Sequence, residues 1–272
     1  MAGGNREPGR TVTSKVIAVL GAFEHSMRPL GLTEIADLAD LPPSTTHRLV
    51  TELTDGGLLS RKSDGRYQLG LRIWELAQNT GRQLRDTARP FIQELYSLTS
   101  ETSQLVVRDK NEALVIDRAY GTKKVPRSAR VGGRLPLNST AVGKILLAFD
   151  EPWIRQSYLK LPLPSSTPKT ITDPEILDRQ LKQIRSQGFA ITHDEQRIGG
   201  ASIAVPVWHT GKLGAALGLV VPTTQAANLE RFLPILQATS QRITKDTALI
   251  PLDTLLASHR NAARKGATEP TT

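Results

Sequence analysis

Cysteine is absent from the chain. That removes a disulfide framework, a cysteine zinc site, an iron–sulfur cluster and a thiol nucleophile together, and it fits a reducing compartment. Aromatic residues are scarce, at 4%, so a core must be packed from Leu, Ile, Val and Ala. Long apolar runs are missing too. The longest, Lys144 to Phe149 and Leu213 to Pro222, fall far short of the roughly 18 to 20 residues that span a bilayer. The stretch from Met1 to Arg10 is polar and lacks the apolar segment of a signal peptide. These absences predict a soluble cytoplasmic protein with no membrane partner.

What is present is ordinary globular composition, with 39% hydrophobic and 22% charged residues in 272, enough for two modest domains. The net charge is 35 − 26 = +9. A basic chain attracts polyanions, nucleic acid first among them. Residues 1–90 carry 12 basic and 10 acidic side chains, and residues 91–250 carry 20 and 14. The densest basic cluster is Lys123, Lys124, Arg127, Arg130 and Arg134, which also suits a solvated loop or strand edge. Net charge thus permits DNA binding without locating it.

Periodicity supplies the location. Val16, Ile17, Val19, Leu20 and Phe23 recur at helical spacing, predicting a helix from Val12 to about His25. Thr33 can cap a short second helix carrying Ile35, Ala36 and Leu38 inward. Pro43 suits the first turn of a third helix, where its missing N–H costs nothing. Thr46, Leu49, Val50 and Leu53 mark that helix's buried face, and Gly56-Gly57 stops it. Two strand-like pieces then flank Ser63-Asp64-Gly65, a hairpin signal. Helix, helix, helix, hairpin over 12–70 is the order of a winged helix-turn-helix. Helices from Leu71 to Asn79 and Arg82 to Leu98, the second containing Pro90, predict a helical linker over 71–98.

Residues 99–250 mix strands and helices. Strands are expected at Leu105–Arg108, Ala113–Asp117, Val125–Val131, Phe189–Thr192, Ser202–Trp208 and Leu213–Val221, the last two closing over Thr210-Gly211. Helices are expected at Ala141–Phe149, Pro174–Gln187 and Ala226 to about Asp246. Residues 1–11 and 251–272 read as disordered tails. The class is α+β.

The second helix of a helix-turn-helix enters the major groove and must present small or hydrogen-bonding side chains there. Pro43, Ser44, Thr45, His47 and Arg48 meet that need, with a helix N-terminus that favours phosphate oxygens. Thr33 belongs to the same DNA-binding set. Arg61, Lys62 and Arg66 sit on the hairpin, where a wing lies along the backbone.

These residues carry a resemblance. Leu32-Thr-Glu-Ile-Ala36, Ser44-Thr-Thr-His-Arg-Leu49, Leu53 with Gly57-Leu58, and Tyr67-Gln-Leu-Gly70 resemble the N-terminal domain of the IclR family of bacterial transcriptional regulators. The second half is similar to that family's effector-binding domain at Val131 to Lys144, Gly188-Phe-Ala190, Asp194-Glu195 and Ile203-Ala-Val-Pro-Val207. The resemblance implies a GAF/PAS-like α/β domain with a small-molecule effector beside Leu135 through Val142. It implies backbone N–H groups of Ala141 and Val142 facing the ligand, with Thr192, Ser202, Gly218 and Val220 completing the pocket. Where some relatives have polar side chains this chain has Gly218 and Val220, and Thr192 replaces an acid. A roomier, less polar pocket for an organic acid or aromatic ligand follows. The resemblance also implies a homodimer or homotetramer.

Other constellations fail. Ala141-Val-Gly-Lys-Ile145 suggests a phosphate loop but lacks its first glycine and its Ser or Thr. His193-Asp194-Glu195 alternates faces on a strand and has no second histidine pair, so no metal and no cofactor is expected. No G-x-S-x-G segment marks a serine hydrolase. The leading reading is a ligand-responsive regulator binding double-stranded operator DNA, not an enzyme. Two alternatives stay open: an enzyme with an accessory helix-turn-helix, and a sensor that does not bind DNA and dimerises through its winged helix.

Overall fold

The structure is a computed structural model that describes residues 10–24, 26, 28–77, 82–120 and 129–250. Two compact units divide the chain, Met1–Asn79 and Thr80–Thr272.

The first unit holds α1 (Val12–Gly21), α2 (Leu32–Ala39), α3 (Pro43–Asp55), the hairpin β1 (Leu59–Arg61) and β2 (Tyr67–Leu69), and α4 (Leu71–Ala77). Thr11 caps α1 by accepting from the Ser14 N–H, and the helix stops at Gly21, short of the expected His25. Thr33 does not cap α2. Gly31 is the cap residue, and its N–H donates to Glu34 at 2.8 Å. A carboxylate three residues into the helix can bond this far back, whereas Thr33 already lies inside the first turn. Arg28 is the first cause, ahead of that Gly31 N–H, holding the Glu34 carboxyl down to about 2. α3 starts at Pro43 and buries Thr46, Leu49, Val50 and Leu53, against Val19, Phe23, Ile35 and Leu59. Gly65 turns the hairpin at φ +79. Leu30 exchanges two backbone hydrogen bonds with Tyr67, both 2.8 Å, adding a third short extended segment.

The second unit opens with α5 (Arg82–Thr99) and contains a six-stranded antiparallel sheet ordered β5-β4-β3-β8-β7-β6. Its strands are β3 (Thr102–Asp109), β4 (Glu112–Ala119), β5 (Arg134–Pro136), β6 (Ala190–His193), β7 (Gly200–His209) and β8 (Lys212–Pro222). α6 (Ala141–Phe149), α7 (Pro152–Leu159), α8 (Pro174–Gln187) and α9 (Leu233–Thr247) complete it. Alternation along the strands makes two cores. Leu105, Val205, Leu217 and Leu219 pack on α5 and α9 through Ala88, Ile92, Leu236 and Ile243. Val106, Val115, Ala204 and Ala216 pack on α6 and α8 through Val142, Ile145, Leu146, Leu177 and Leu181.

The structure departs from the expected elements, or adds to them, at several points. Within the helical stretch expected over 71–98, Leu84, Ala88, Ile92 and Leu95 of α5 are buried in the second unit's core. The closing helix begins at Leu233, after a 3₁₀ stretch Thr223–Phe232 interrupted at Asn228. Pro234, in the first turn of α9, explains the late start, since proline suits a helix beginning and not its interior. β5 and α7 were not anticipated. The strand expected at Val125–Val131 lies mostly outside the described residues, and 129–131 form no strand. Most of the expected tails, 1–9 and 251–272, also lie outside the described residues, whereas Thr11 serves as the α1 cap.

Candidate functional site

α3 presents a polar exposed face. Pro43, Ser44, His47 and Arg48 are exposed, Thr45 is half-buried, and all stand in the first two turns. Packing forces this arrangement, because the apolar positions consume the opposite face. Arg48 pairs with Glu52 at 3.5 Å on the same exposed helix face. Such a surface pair is worth little and yields readily to a phosphate. Thr51, which the sequence reading did not single out, is exposed on the same helix and bonds back to the His47 carbonyl at 2.9 Å. On the hairpin Arg61, Lys62 and Arg66 are exposed. The Arg61 guanidinium lies 5.6 Å from the Tyr67 ring centre. The Lys62 N–H donates to the Arg66 carbonyl at 2.8 Å, which holds the tip closed. Thr33 is exposed near the start of α2. Arg134, from the basic cluster, is committed to Asp109 at 2.5 Å and Glu112 at 3.6 Å, so it is no free cation. Lys123, Lys124 and Arg127 lie outside the described residues.

In the second unit a cavity of about 430 Å³ opens on the α6 face of the sheet. That volume suits a small organic molecule. Leu135, Thr192, Ser202 and Val220 line it, as do Thr102, Gln104, Arg118, Thr140 and Gln196. The floor follows from strand register. Thr102 pairs with Val220, Val220 with Ser202 and Ser202 with Thr192, one row across β3, β8, β7 and β6. The Thr192 and Ser202 hydroxyls bond each other at 2.7 Å. Ala141 and Val142 are buried in the first turn of α6, next to Thr140, but are not in the lining. Thr140 caps the helix by accepting from the Gly143 N–H at 3.1 Å, so the helix start, with its N–H groups, stands beside the cavity wall.

Gly218 also stays outside the lining. A Cβ placed there would lie 2.7 Å from Val142 Cγ1, so the space its missing side chain frees is filled by α6. The expected extra room at this position is therefore absent. Gly143 is built the same way: its Cβ would meet the Leu137 backbone at 2.5 and 2.6 Å. That close approach accounts for the glycine in Ala141-Val-Gly-Lys144.

One rim of the cavity is the loop after β6, where Gln196, Arg197, Ile198 and Gly199 line it. Its conformation is pinned by charge. Lys144, with no exposed surface, donates to both Glu195 carboxylate oxygens at 2.7 and 2.6 Å. Burial lowers the Lys144 pKa, and the facing Glu195 opposes that shift. Asp194, in the left-handed region at φ 57, accepts from Lys169 at 2.8 Å, Thr223 at 2.7 Å and the Gly199 N–H at 2.8 Å. Those bonds, Lys169 foremost, hold its carboxyl down to about 2. Asp194 and Glu195 thus carry structural pairs. His193 is exposed, and no three potential metal ligands cluster among the described residues.

Comparison with known proteins now decides the assignment. The description "Bacterial transcriptional regulator IclR C-terminal" matches residues 77–245, and "IclR helix-turn-helix domain" matches 12–63. The chain belongs to the IclR family of bacterial transcriptional regulators. It is 32% identical over 238 residues to the regulator KipR of Bacillus subtilis, covering 86% of this chain and 93% of KipR. Against XynR of Escherichia coli it is 30% identical over 225 residues, with 79% and 88% covered. A crystal structure of an IclR homolog from Microbacterium hydrocarbonoxydans complexed with 4-hydroxybenzoate shares 34% identity at a TM-score of 0.81, covering 87% of this chain and 98% of that one. As an IclR-family regulator the chain has a helix-turn-helix DNA-binding domain and a C-terminal effector domain. No described helix is long and apolar enough to cross a membrane.

Arg118 and Gln104 are among the cavity residues that sequence reasoning missed. Gln104 is 4% exposed, and its Oε1 has no hydrogen-bond partner among the described residues. Arg118 donates to the Ala129 carbonyl through Nη1, while its buried Nε likewise has no partner among them.

Proposed function

We propose that this IclR-family chain is a cytoplasmic, non-enzymatic regulator whose DNA affinity is set by a small organic acid or aromatic effector. One observation carries the reading: a free polar helix face in one unit and a cavity of small-molecule size in the other. Ser44, Thr45 and His47 read base edges, with Pro43 setting the helix start. Arg48, Arg61, Lys62 and Arg66 hold phosphates, and Thr33 lies beside them at the start of α2. The effector occupies the cavity near Leu135, Thr192, Ser202 and Val220, with the α6 start at Ala141 and Val142 behind Thr140 and Gly218 beneath the helix. The ligand bound by the Microbacterium homolog supports an aromatic acid of that size.

The chain works as a homodimer or homotetramer. α4 leaves Leu71 and Trp74, one turn apart on the same side, more than half exposed, with Leu76 exposed as well, and so much uncovered apolar surface on a short helix favours self-association. Two copies also supply the paired half-sites that a single winged helix lacks. An effector changes DNA affinity only by binding two arrangements of that assembly unequally.

The test is duplex selection from a random pool, followed by binding titrations of the selected duplex with and without 4-hydroxybenzoate. Selection should yield a duplex bound at least about 1,000-fold more tightly than random sequence, with an affinity that the ligand changes by at least about 5-fold. Arg48→Ala and Arg66→Ala should each reduce the salt dependence by about one counterion, and His47→Ala should relax base preference. Failure to select any duplex above random binding would sink the reading.

A further inference from the structure

Arg118 stands at the β4 end of the cavity, opposite Gln104 on β3. Its guanidinium is partly buried and has no carboxylate partner among the described residues; burial pushes its pKa down to about 10. Its Nε donor and the neighbouring Gln104 Oε1 are both buried and have no hydrogen-bond partner among the described residues. No acidic side chain lines the cavity among the described residues, while a second arginine, Arg197, does. A guanidinium removed from water without a counter-charge is costly, and an anion with two coplanar oxygens matches its donor fork.

We propose that Arg118 is the residue that binds the acid group of the effector, which is therefore a small carboxylate lying with its charged end at β4. This rests on the effector reading of the cavity and sharpens it. The Thr192–Ser202 hydroxyl pair, on β6 and β7, faces the other end of the ligand. With strands about 4.8 Å apart, β4 and β7 stand three spacings or roughly 14 Å from each other. The extended Arg118 side chain spans part of that gap, and a ligand of one ring or its length fills the rest. The α6 start then borders the ligand body. Gln104, beside Arg118, offers its amide to the same end.

The experiment uses the full chain with four probes: benzoate, 4-hydroxybenzoate and the primary amides of both. Binding is measured by calorimetry, with thermal melting to check folding. The wild type should bind the acids and discriminate against the uncharged amides by about 10- to 100-fold. Arg118→Met should lose that discrimination, binding acid and amide alike. Arg118→Lys, which keeps the charge and loses the planar fork, should recover part of it, and it serves as the folded control if Arg118→Met melts early. A folded Arg118→Met protein that still prefers acids as the wild type does overturns the assignment. A wild type that binds the amides as tightly as the acids overturns it too, while leaving the cavity as an effector site. A wild type that binds none of the four overturns both.

Discussion

Gly218→Ala tests how α6 is seated against the sheet. The added methyl would sit 2.7 Å from Val142 Cγ1, 3.2 Å from the Ile203 carbonyl oxygen and 3.4 Å from Ala204 Cβ. Carbon pairs rest at about 3.5 to 4.0 Å, so Val142 must give way by about 1 Å. A helical valine has essentially one favoured rotamer, and leaving it costs about 0.5 to 1.5 kcal/mol. Shifting α6 instead disturbs a packed core. Overpacking of this kind costs about 1 to 3 kcal/mol. Against that, alanine restricts the unfolded chain by about 0.4 to 1 kcal/mol, because the backbone here is not left-handed. The net expectation is a loss of about 1 to 2 kcal/mol, or roughly 2 to 8 °C in Tm for a domain of this size.

Val142→Ala removes the obstructing carbon and should itself cost about 2 kcal/mol for the emptied space. In the double variant the new methyl occupies part of that space. Its loss should be close to that of Val142→Ala alone, so the cycle shows about 1 to 2 kcal/mol of favourable coupling. Chemical denaturation followed by circular dichroism measures all four proteins. Additivity within about 0.5 kcal/mol would mean that Gly218 and Val142 do not share that space, and the account of this glycine would be wrong.

Breaking the buried Lys144–Glu195 pair with Glu195→Gln should destabilise by about 3 to 5 kcal/mol, since an ammonium with no exposed surface loses its counter-charge; the same denaturation assay reads it, and a loss under about 1 kcal/mol would refute the pairing. Asp194 has its carboxyl lowered from 3.8 to about 2, so its bonds stabilise fully above about pH 4 and fade as pH falls through about 2. Asp194→Asn should therefore show its greatest loss at neutral pH and converge on the wild type in acid, and a constant difference across a pH series would contradict this. Gly70→Ala should abolish the hairpin, because the new Cβ would lie 2.1 Å from the Gly57 carbonyl oxygen and backbone cannot step aside as a side chain can; a variant whose melting and DNA binding both match the wild type would be the wrong outcome.

The elements around α3 were legible because one signal dominated each. In α3, Pro43 fixes the start, four apolar-face positions fix the rotation, and Gly56-Gly57 fixes the end. The exposed face then follows by subtraction. The packing of α5 was not legible, for the opposite reason. Its helical periodicity was visible, but periodicity does not say which core the apolar stripe will meet. The same limit hid Gly218: a glycine in a strand announces a close approach without naming what approaches.

Arg118 was hidden by a more specific cause. Strict alternation in β4 puts Arg118 with Leu114 and Ile116, whose side chains pack against the α5 and α9 core. The ladder breaks that alternation: Val106 faces Val115, but Leu105 faces Asp117, leaving Ile116 as the extra residue. A bulge of this kind re-aims every side chain beyond it. Val115 lies on the α6 face, and after the extra residue so does Arg118, in one row with Gln104 and Gly218. The two-residue period that makes strands readable thus misplaces Arg118, the β4 cation that enters the cavity. Nothing in the local sequence marks Ile116 as the residue to skip. Pairing with β3, set by the whole sheet, decides which face receives the arginine, and with it where the cavity carries charge.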